Sequence, residues 1–507
     1  MGIYDFTLYD LFLRNEASFG EKTAWIEAED NRSLSFARMR DMVDRLAAGL
    51  KSAGAEKGDR LAILGKNRLE YFLLLGAAAR SGTIALPVNW RLSPEEMARN
   101  LEDGDPVLIF ADPEYQPLLQ GLEDRLGSLK SCFTLGRDPG EGLPLSASPE
   151  SDEPCDGAEV GMEDPFLLIH TAATAGRPMG ALLSHKNLLL SCANFANAVN
   201  VTPRDVHLNV LPLFHVAGLF ATVAAFSAGA LTVNMAKFHA PKALEMIEQH
   251  KCSLLFDFHP ILSTLLQEQA RAGTDMGPLR TVVGVDTAET AEEYERRTGG
   301  TFYSIYGQTE GSAFSTICRH RDRPGSIGRS MPFVNIRLTD DSDRPVPVGE
   351  VGEITQRGPT VFQGYRGRPE ETAYTFRNGW HHTGDMGRVD PDGYLWYEGH
   401  KTEKELIKPG GENVYPAEVE KAVLEHPAVE RVVVFGVPDP KWKEGVKAVC
   451  QLKPGHDLTA QDLIDFVGRR IAGYKKPRYV EFTSEIPLLE DGTPDRAEVK
   501  RRYQAVS

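Results

Sequence analysis

Three short runs combine residue types suited to phosphate, sugar hydroxyls and a divalent cation. The first is Ile169-His-Thr-Ala-Ala-Thr-Ala-Gly-Arg-Pro-Met-Gly180, placed between the apolar strand Phe166–Ile169 and a helix signalled by Ser184-His-Lys-Asn187. A small-residue loop between strand and helix lets backbone N–H groups approach a polyphosphate closely. It lacks the Gly-Lys-Ser/Thr ending of a Walker A loop, and alone it reads as a tight turn. The second run, Tyr306-Gly-Gln-Thr-Glu310, comes after the strand Thr301–Ile305. Thr309 and Glu310 then sit at a strand's carboxyl end, where α/β sheets bind ligands. A hydroxyl beside a carboxylate suits one phosphate contact and one Mg²⁺ contact. The third, His382-Thr-Gly-Asp-Met-Gly-Arg-Val-Asp-Pro-Asp-Gly-Tyr394, holds Asp385 in a glycine-rich turn. A carboxylate there can accept both hydroxyls of a ribose, while Asp390–Tyr394 reads as an ordinary hairpin turn.

Positioning such groups requires a sheet, and the pattern supplies one. Phe36–Ala53 has apolar positions at helical spacing, Arg60–Leu64 reads as a strand, Leu69–Arg80 as a helix, and Thr83–Val88 and Val107–Ala111 as further strands. Strands separated by helices imply parallel pairing, hence an α/β fold covered on both faces. Residues 137–164 carry nine acids and one Arg among Pro, Gly and Ser, and read as an exposed loop. After Tyr394–Tyr397 the pattern changes to helix 417–425, strands 430–436 and 446–452, helix 460–471 and strand 478–483, enough for a small α+β domain with its own core. The expected architecture is a large N-terminal domain, residues 1–398, of mixed α/β sheets with helices, and a C-terminal domain, residues 399–507.

The order of these motifs resembles that of the adenylate-forming enzymes: acyl-CoA synthetases, luciferases and peptide-synthetase adenylation domains. The resemblance spans residues 20 to 500. It includes Pro212-Leu-Phe-His-Val-Ala-Gly-Leu219, Gly352-Glu-Ile, Arg357-Gly-Pro359, Gly364-Tyr365 and Gly410-Gly-Glu-Asn-Val-Tyr-Pro-Ala-Glu-Val-Glu420. It implies that the C-terminal domain is mobile and hinged at Gly399. It further implies that Thr171, Thr174 and Gly176 belong to a phosphate loop, that Thr309 meets the α-phosphate and Glu310 the Mg²⁺, and that Asp385 and His400 face the ribose. Gly284, Val285 and Asp286 would line the adenine, Tyr306 would stack on it, and Gly307 and Gln308 would complete the nucleotide site. His215 would stand near the acyl carboxylate, and Gly410 and Gly411 beside the pantetheine of coenzyme A. The implied reaction joins ATP and a carboxylic acid into an acyl-adenylate, whose AMP a thiol then displaces.

The sequence departs from that family in three places. At the hinge His400 stands for the ribose-binding Arg and Gly399 for the common Asp or Lys, and the following loop is about two residues longer than usual. In the phosphate loop Ala172, Ala173 and Ala175 replace Ser, Gly and Thr, and Met179 replaces Lys. In the C-terminal domain Thr493 stands where a lysine bridging carboxylate and α-phosphate is expected. Losing one such cation costs about 2–4 kcal/mol of transition-state stabilisation. Lys404 and Lys408 are candidate replacements: four apart, they share a face on a helical turn, and in an extended loop both could still swing with the domain. Three readings are open: an active acyl-CoA synthetase, an enzyme passing its acyl group to a carrier-protein thiol, and a non-catalytic or adenylation-impaired relic. The helix Leu219–Phe226 and the segment Phe256–Leu266 are mostly apolar, which favours an aliphatic or aromatic acid over a charged one.

Composition narrows the partners. Fifty-six Lys and Arg against 72 Asp and Glu give a net charge of −16, which repels a phosphate backbone and argues against nucleic acid. Six scattered cysteines without CxxC spacing suit free thiols in a reducing cytoplasm. The N-terminus lacks a basic region leading into an apolar run, so it does not read as a signal peptide. Leu208–Ala236 has no Asp, Glu, Lys or Arg, but its Pro, His, Gly and Asn residues break it into a loop, a helix and the strand Leu231–Met235, a buried αβ unit and not a membrane span. The expected location is the cytoplasm, with assembly as a monomer or homodimer both open.

Overall fold

The computed structural model describes residues 3–135, 159–174, 177–401, 406–489 and 493–505. These form two compact units. The larger comprises 1–90, 101–170 and 180–399; the smaller comprises 400–507 together with 91–100 and 171–179. The expected loop at 137–164 lies largely outside the described residues.

The larger unit is built on three sheets among the described residues. One has nine strands in the order Arg329–Ser330, Thr316–Arg319, Thr301–Tyr306, Thr281–Val285, Leu254–Phe258, Val206–Asn209, Leu231–Asn234, Thr23–Glu27, Ser33–Ser35. Its six central strands run parallel, from Thr301–Tyr306 to Thr23–Glu27, and the flanking strands are antiparallel. Parallel strands need crossover connections, and helices such as Ala240–His250, Ile261–Ala272 and Ala288–Thr298 supply them. A second sheet of seven strands contains Arg60–Leu64, Ile84–Pro87 and Leu108–Ala111, close to their expected bounds. A third, antiparallel sheet orders Asn335–Thr339, Val351–Arg357, His381–Val389 and Leu395–His400.

One core unites the first two sheets. Helix Val216–Ser227 is buried at every position from Val216 to Phe226, as expected of a helix apolar on all sides. Phe226 packs on Phe12 at 4.6 Å between ring centroids, and Trp25 stacks on Phe72 at 5.1 Å. The Leu208–Ala236 stretch is therefore the αβ unit anticipated. No described helix is long and apolar enough to cross a membrane.

In the smaller unit the antiparallel pair Val429–Asp439 and Lys443–Leu452 is joined in parallel by Tyr479–Thr483. Alternate residues serve opposite faces. Val432 and Val434 pack with Val419, Val423, Leu463 and Val467 of helices Pro416–Leu424 and Ala460–Gly468. Val433, Phe435 and Val437 pack with Val499 of helix Arg496–Tyr503.

One sequence expectation fails. The small-residue run does not lead from strand straight to helix. Pro165–Thr174 and Arg177–Ser184 are both strands, neighbours in the seven-stranded sheet, and the helix begins only at His185. The buried apolar residues Ala181 and Leu183 continue the sheet, and Ser184 then caps the helix by accepting the Asn187 N–H. A buried pair anchors the hairpin's base: His170 Nε2 lies 2.9 Å from Asp103 Oδ2, and Arg368 holds Asp103 Oδ1 at 2.8 Å.

Candidate functional site

The strand Thr301–Tyr306 delivers five expected residues in succession at its carboxyl end. Gly307, the next residue, has no room for a side chain: a Cβ would lie 1.7 Å from the Ala313 carbonyl oxygen. The chain doubles back, with Ser315 N–H bonding Tyr306 O and Ala313 N–H bonding Gln308 O, both at 2.9 Å. Thr309 and Glu310 occupy the single 3₁₀ turn Thr309–Gly311 inside this reversal, both half-buried.

Asp385, from the antiparallel sheet, joins this group. It is fully buried. The Tyr306 hydroxyl donates to its Oδ2 at 2.8 Å, and the Gln308 side-chain amide donates to the same oxygen while also reaching Thr383 O at 3.1 Å. Burial, reinforced by the neighbouring Asp385 carboxylate, lifts the Tyr306 phenol well above its ordinary range, so it remains a donor. Two protein donors thus already occupy the carboxylate that the sequence assigned to ribose. A ribose hydroxyl would share that oxygen, replace a donor or use the other oxygen. Tyr306 is 8% exposed, offering little free ring surface for stacking.

Glu310 Oε1 accepts the Tyr365 hydroxyl at 2.9 Å. That bond orients the carboxylate without neutralising it. Among the described residues no set of three His, Cys, Asp or Glu side chains could hold a metal. A lone carboxylate is nevertheless the usual protein share of a Mg²⁺ whose other ligands are water and substrate phosphate, so Glu310 fits that role.

The neighbouring parallel strand, Thr281–Val285, ends in Gly284 and Val285, and Asp286 follows it. Gly284 is steric in origin, since a Cβ would meet the Asp257 carbonyl oxygen at 2.0 Å. Val285 is 45% exposed and presents a surface. Asp286 does not: its side chain is buried, with Oδ1 held by His259 Nδ1 at 2.9 Å and by Thr287 N–H at 2.6 Å. Sequence reasoning missed His259. Its partner lies 27 residues away, and only the side-by-side placement of Leu254–Phe258 and Thr281–Val285 brings the two together.

His215 caps helix Val216–Ser227, its Nδ1 accepting the Ala217 N–H at 3.2 Å. Its ring meets Phe258 edge-on, with centroids 5.9 Å apart. From Phe258 a run of ring contacts leads inward through Phe256 (5.7 Å) and Phe314 (5.6 Å) to Phe195 (4.7 Å). Phe256, Phe314 and Phe195 are at most 3% exposed.

The remaining expected residues belong to the smaller unit or lie outside the described residues. Thr171 Oγ1 bonds Met179 O at 3.3 Å across the hairpin, and Thr174 ends its first strand; Gly176 and Lys404 fall outside the described residues. Lys408 is exposed and precedes the 3₁₀ turn Pro409–Gly411 with φ −119° and ψ 70°, so it is not itself on a helical turn. Gly410 lies so close to Trp442 that a Cβ would meet the indole at 2.5 Å, and Gly411 closes the same turn. His400 ends the strand Leu395–His400, next to Gly399 at φ +107°. Thr493 is exposed and its carbonyl accepts the Leu489 N–H at 2.8 Å.

A parallel sheet with a tyrosine, a threonine and a carboxylate at one strand's carboxyl end, joined by a second carboxylate from the antiparallel sheet, is the arrangement of an α/β enzyme. Residues 12–366 match the family model of the AMP-binding enzymes, and residues 418–492 that of the AMP-binding enzyme C-terminal domain. The chain belongs to the AMP-binding enzyme family. It is 35% identical over 480 residues to a feruloyl-CoA synthase of an Amycolatopsis species, covering 93% of this chain and 94% of that protein. It is 34% identical over 479 residues to an indoleacetate–CoA ligase of Aromatoleum aromaticum, covering 93% of each. A solved structure assigned as a long-chain-fatty-acid CoA ligase of Rhodopseudomonas palustris CGA009 superposes with a TM-score of 0.74 at 42% identity, covering 79% of this chain and 100% of that one.

Proposed function

We infer that the acid this enzyme activates carries an aromatic ring. The enzyme itself is an ATP-dependent, AMP-forming acid–CoA ligase, as its full-length relatives are. A carboxylate is a poor electrophile, since its charge repels nucleophiles and it has no good leaving group. Attack of its oxygen on the α-phosphorus of ATP expels pyrophosphate and gives an acyl-adenylate. The sulfur of coenzyme A then attacks the acyl carbon, and AMP departs.

This chain's residues divide that work. Thr309 donates its hydroxyl to the α-phosphate, and Asp385, held by Tyr306 and Gln308, fixes the ribose. Glu310, oriented by Tyr365, is the carboxylate for a Mg²⁺, which when bound screens the phosphate charge. Gly284 and Val285 border the base, His215 stands at the acyl carboxylate, and Gly410–Gly411 faces the pantetheine. Gly399 is the hinge of a C-terminal domain beginning beside it, and the enzyme works in the cytoplasm.

The observation that carries the aromatic reading is the run of rings behind His215. Phe258, Phe256, Phe314 and Phe195 fill the depth that a long alkyl chain would need. Of the four only Phe258 is half-buried and not fully buried, and its flat, apolar face suits offset packing with a ring on the acid. Feruloyl-CoA synthase and indoleacetate–CoA ligase, by their names, handle acids with a ring. The test is acid-dependent AMP formation with ferulate, cinnamate, indole-3-acetate, octanoate and palmitate, each with and without coenzyme A. A kcat/KM at least tenfold higher for one of the ring-bearing acids is expected. Preference for palmitate would overturn the aromatic reading, and AMP formation unresponsive to coenzyme A would point to a carrier-protein thiol.

A further inference from the structure

We propose that Glu353 is a positioning residue for the nucleotide: a buried carboxylate that clamps the turn from which Asp385 projects. Strand Val351–Arg357 pairs with His381–Val389, but the register slips. Glu353 opposes Met386 and Thr355 opposes His382, so two steps on one strand face four on the other. Thr383, Gly384 and Asp385 thus face the single residue Ile354, two more than the ladder can pair, and bulge from it. Bulges re-aim side chains, and they also leave backbone N–H groups without ladder partners.

Glu353 supplies what the ladder does not. It is 3% exposed, and its Oε1 accepts the Gly384 N–H at 3.1 Å. Its Oε2 accepts the Arg377 guanidinium at 3.2 Å and meets His382 Nδ1 at 3.1 Å. Asp343 closes the cluster, 3.6 Å from both His382 Nε2 and Arg377 Nε. Thr383 completes the clamp: its hydroxyl donates to Ile354 O at 2.6 Å and accepts the Asp385 N–H at 3.1 Å. One carboxylate thus fixes the residues on either side of Thr383. Tyr306 and Gln308 hold the Asp385 side chain, while Glu353 holds the backbone that carries it.

This inference rests on Asp385 being the ribose ligand, and the experiment separates the two. ATP and 2′,3′-dideoxy-ATP would be compared as substrates for wild type, Asp385→Asn, Glu353→Gln and the double variant, with KM for the acid measured alongside. Glu353→Gln retains one acceptor oxygen but loses the charge facing Arg377. The expected result is a KM for ATP raised tenfold or more, a KM for the acid within twofold, and discrimination against dideoxy-ATP lowered to that of Asp385→Asn. The double variant should add no more than twofold. A general loss of packing would not single out the ribose hydroxyls. Unaltered discrimination in Glu353→Gln, with Asp385→Asn abolishing it, would overturn the positioning role alone. Unaltered discrimination in Asp385→Asn would overturn the ribose assignment, and the proposal with it. Should Glu353→Gln fail to fold, Arg377→Gln decides by the same readouts, with a rise in KM for ATP of threefold or more expected.

Discussion

At the scale of single residues, charge decides. Glu310 is the carboxylate proposed for the cation, with Tyr365 fixing one of its oxygens. Glu310→Ala should lower acid-dependent pyrophosphate release by about 10²-fold or more while leaving the thermal midpoint within a few degrees. Unchanged turnover would remove Glu310 from the site. Thr493 poses the opposite question, a missing charge. Lys408 is exposed and outside any helix, ahead of the turn Pro409–Gly411, and Lys404 lies outside the described residues. With no lysine in its place, Thr493→Lys should raise the adenylation half-reaction tenfold or more, with Lys404→Ala and Lys408→Ala behaving as wild type. If either alanine variant instead loses adenylation while thiolysis of preformed acyl-adenylate survives, that lysine is the replacement.

At the scale of elements, Gly399 is the penultimate residue of the strand Leu395–His400 and has φ +107°, a conformation closed to proline and strained for other side chains. A domain rotation absorbed there would be blocked by Gly399→Pro. Thioester formation from isolated acyl-adenylate should slow by tenfold or more, and adenylation by less; equal slowing of both would exclude a hinge at this position. The elements themselves are largely legible in the sequence. Leu69–Arg80 reads as a helix and forms Leu69–Ser81, because apolar side chains and Arg80 in the last turn suit helical caps and dipole. The strand 446–452 forms as Lys443–Leu452, with β-branched residues on a pleat buried on both faces. Pairing across long separations is not legible. Nothing in Asp286 announces His259, and nothing in Gly352-Glu-Ile announces that Glu353 faces His382 and Arg377. Periodicity reports which face a residue shares, not which distant residue meets it. The hairpin escapes for a related reason: short small residues next to Arg177-Pro-Met-Gly180 mimic a loop, while strand pairing decides otherwise.

At the scale of the whole molecule, three buried groups shape the response to mild acid. Burial holds the imidazoles of His185 and His207 down to about 3. In the unfolded chain they protonate near 6.5, so their contribution is complete above that pH and is lost as pH falls toward 3, by about 1.4 kcal/mol per pH unit each. Glu27 acts in the other direction. Burial lifts its carboxyl to about 7, although Trp25 and Asn234 donate to it. Its contribution is complete below about 4.5 and lost as pH rises through 7. Between pH 6.5 and 4.5 the carboxyl offsets about one histidine; below 4.5 it offsets neither. Urea unfolding should therefore show stability falling gently to pH 4.5 and more steeply beyond it, where carboxylates such as Asp205, held against burial to about 2 by Arg280 and Ser253, add their own loss. Glu27→Gln should steepen the upper range. Equal slopes for wild type and variant between pH 6.5 and 5 would contradict this. The bond from Tyr306 to Asp385 has a separate consequence for how the fold opens. Tyr306 belongs to the nine-stranded sheet and Asp385 to the antiparallel one, and a small core of Tyr306, Leu338, Ile354 and Leu395 seals the join. Neither sheet can fray at this seam without stranding a buried carboxylate. Amide protons of Thr383 and Asp385 should thus exchange with deuterium in step with those of Thr301–Tyr306, as one cooperative block, and outlast the protons of the outer strand Arg329–Ser330.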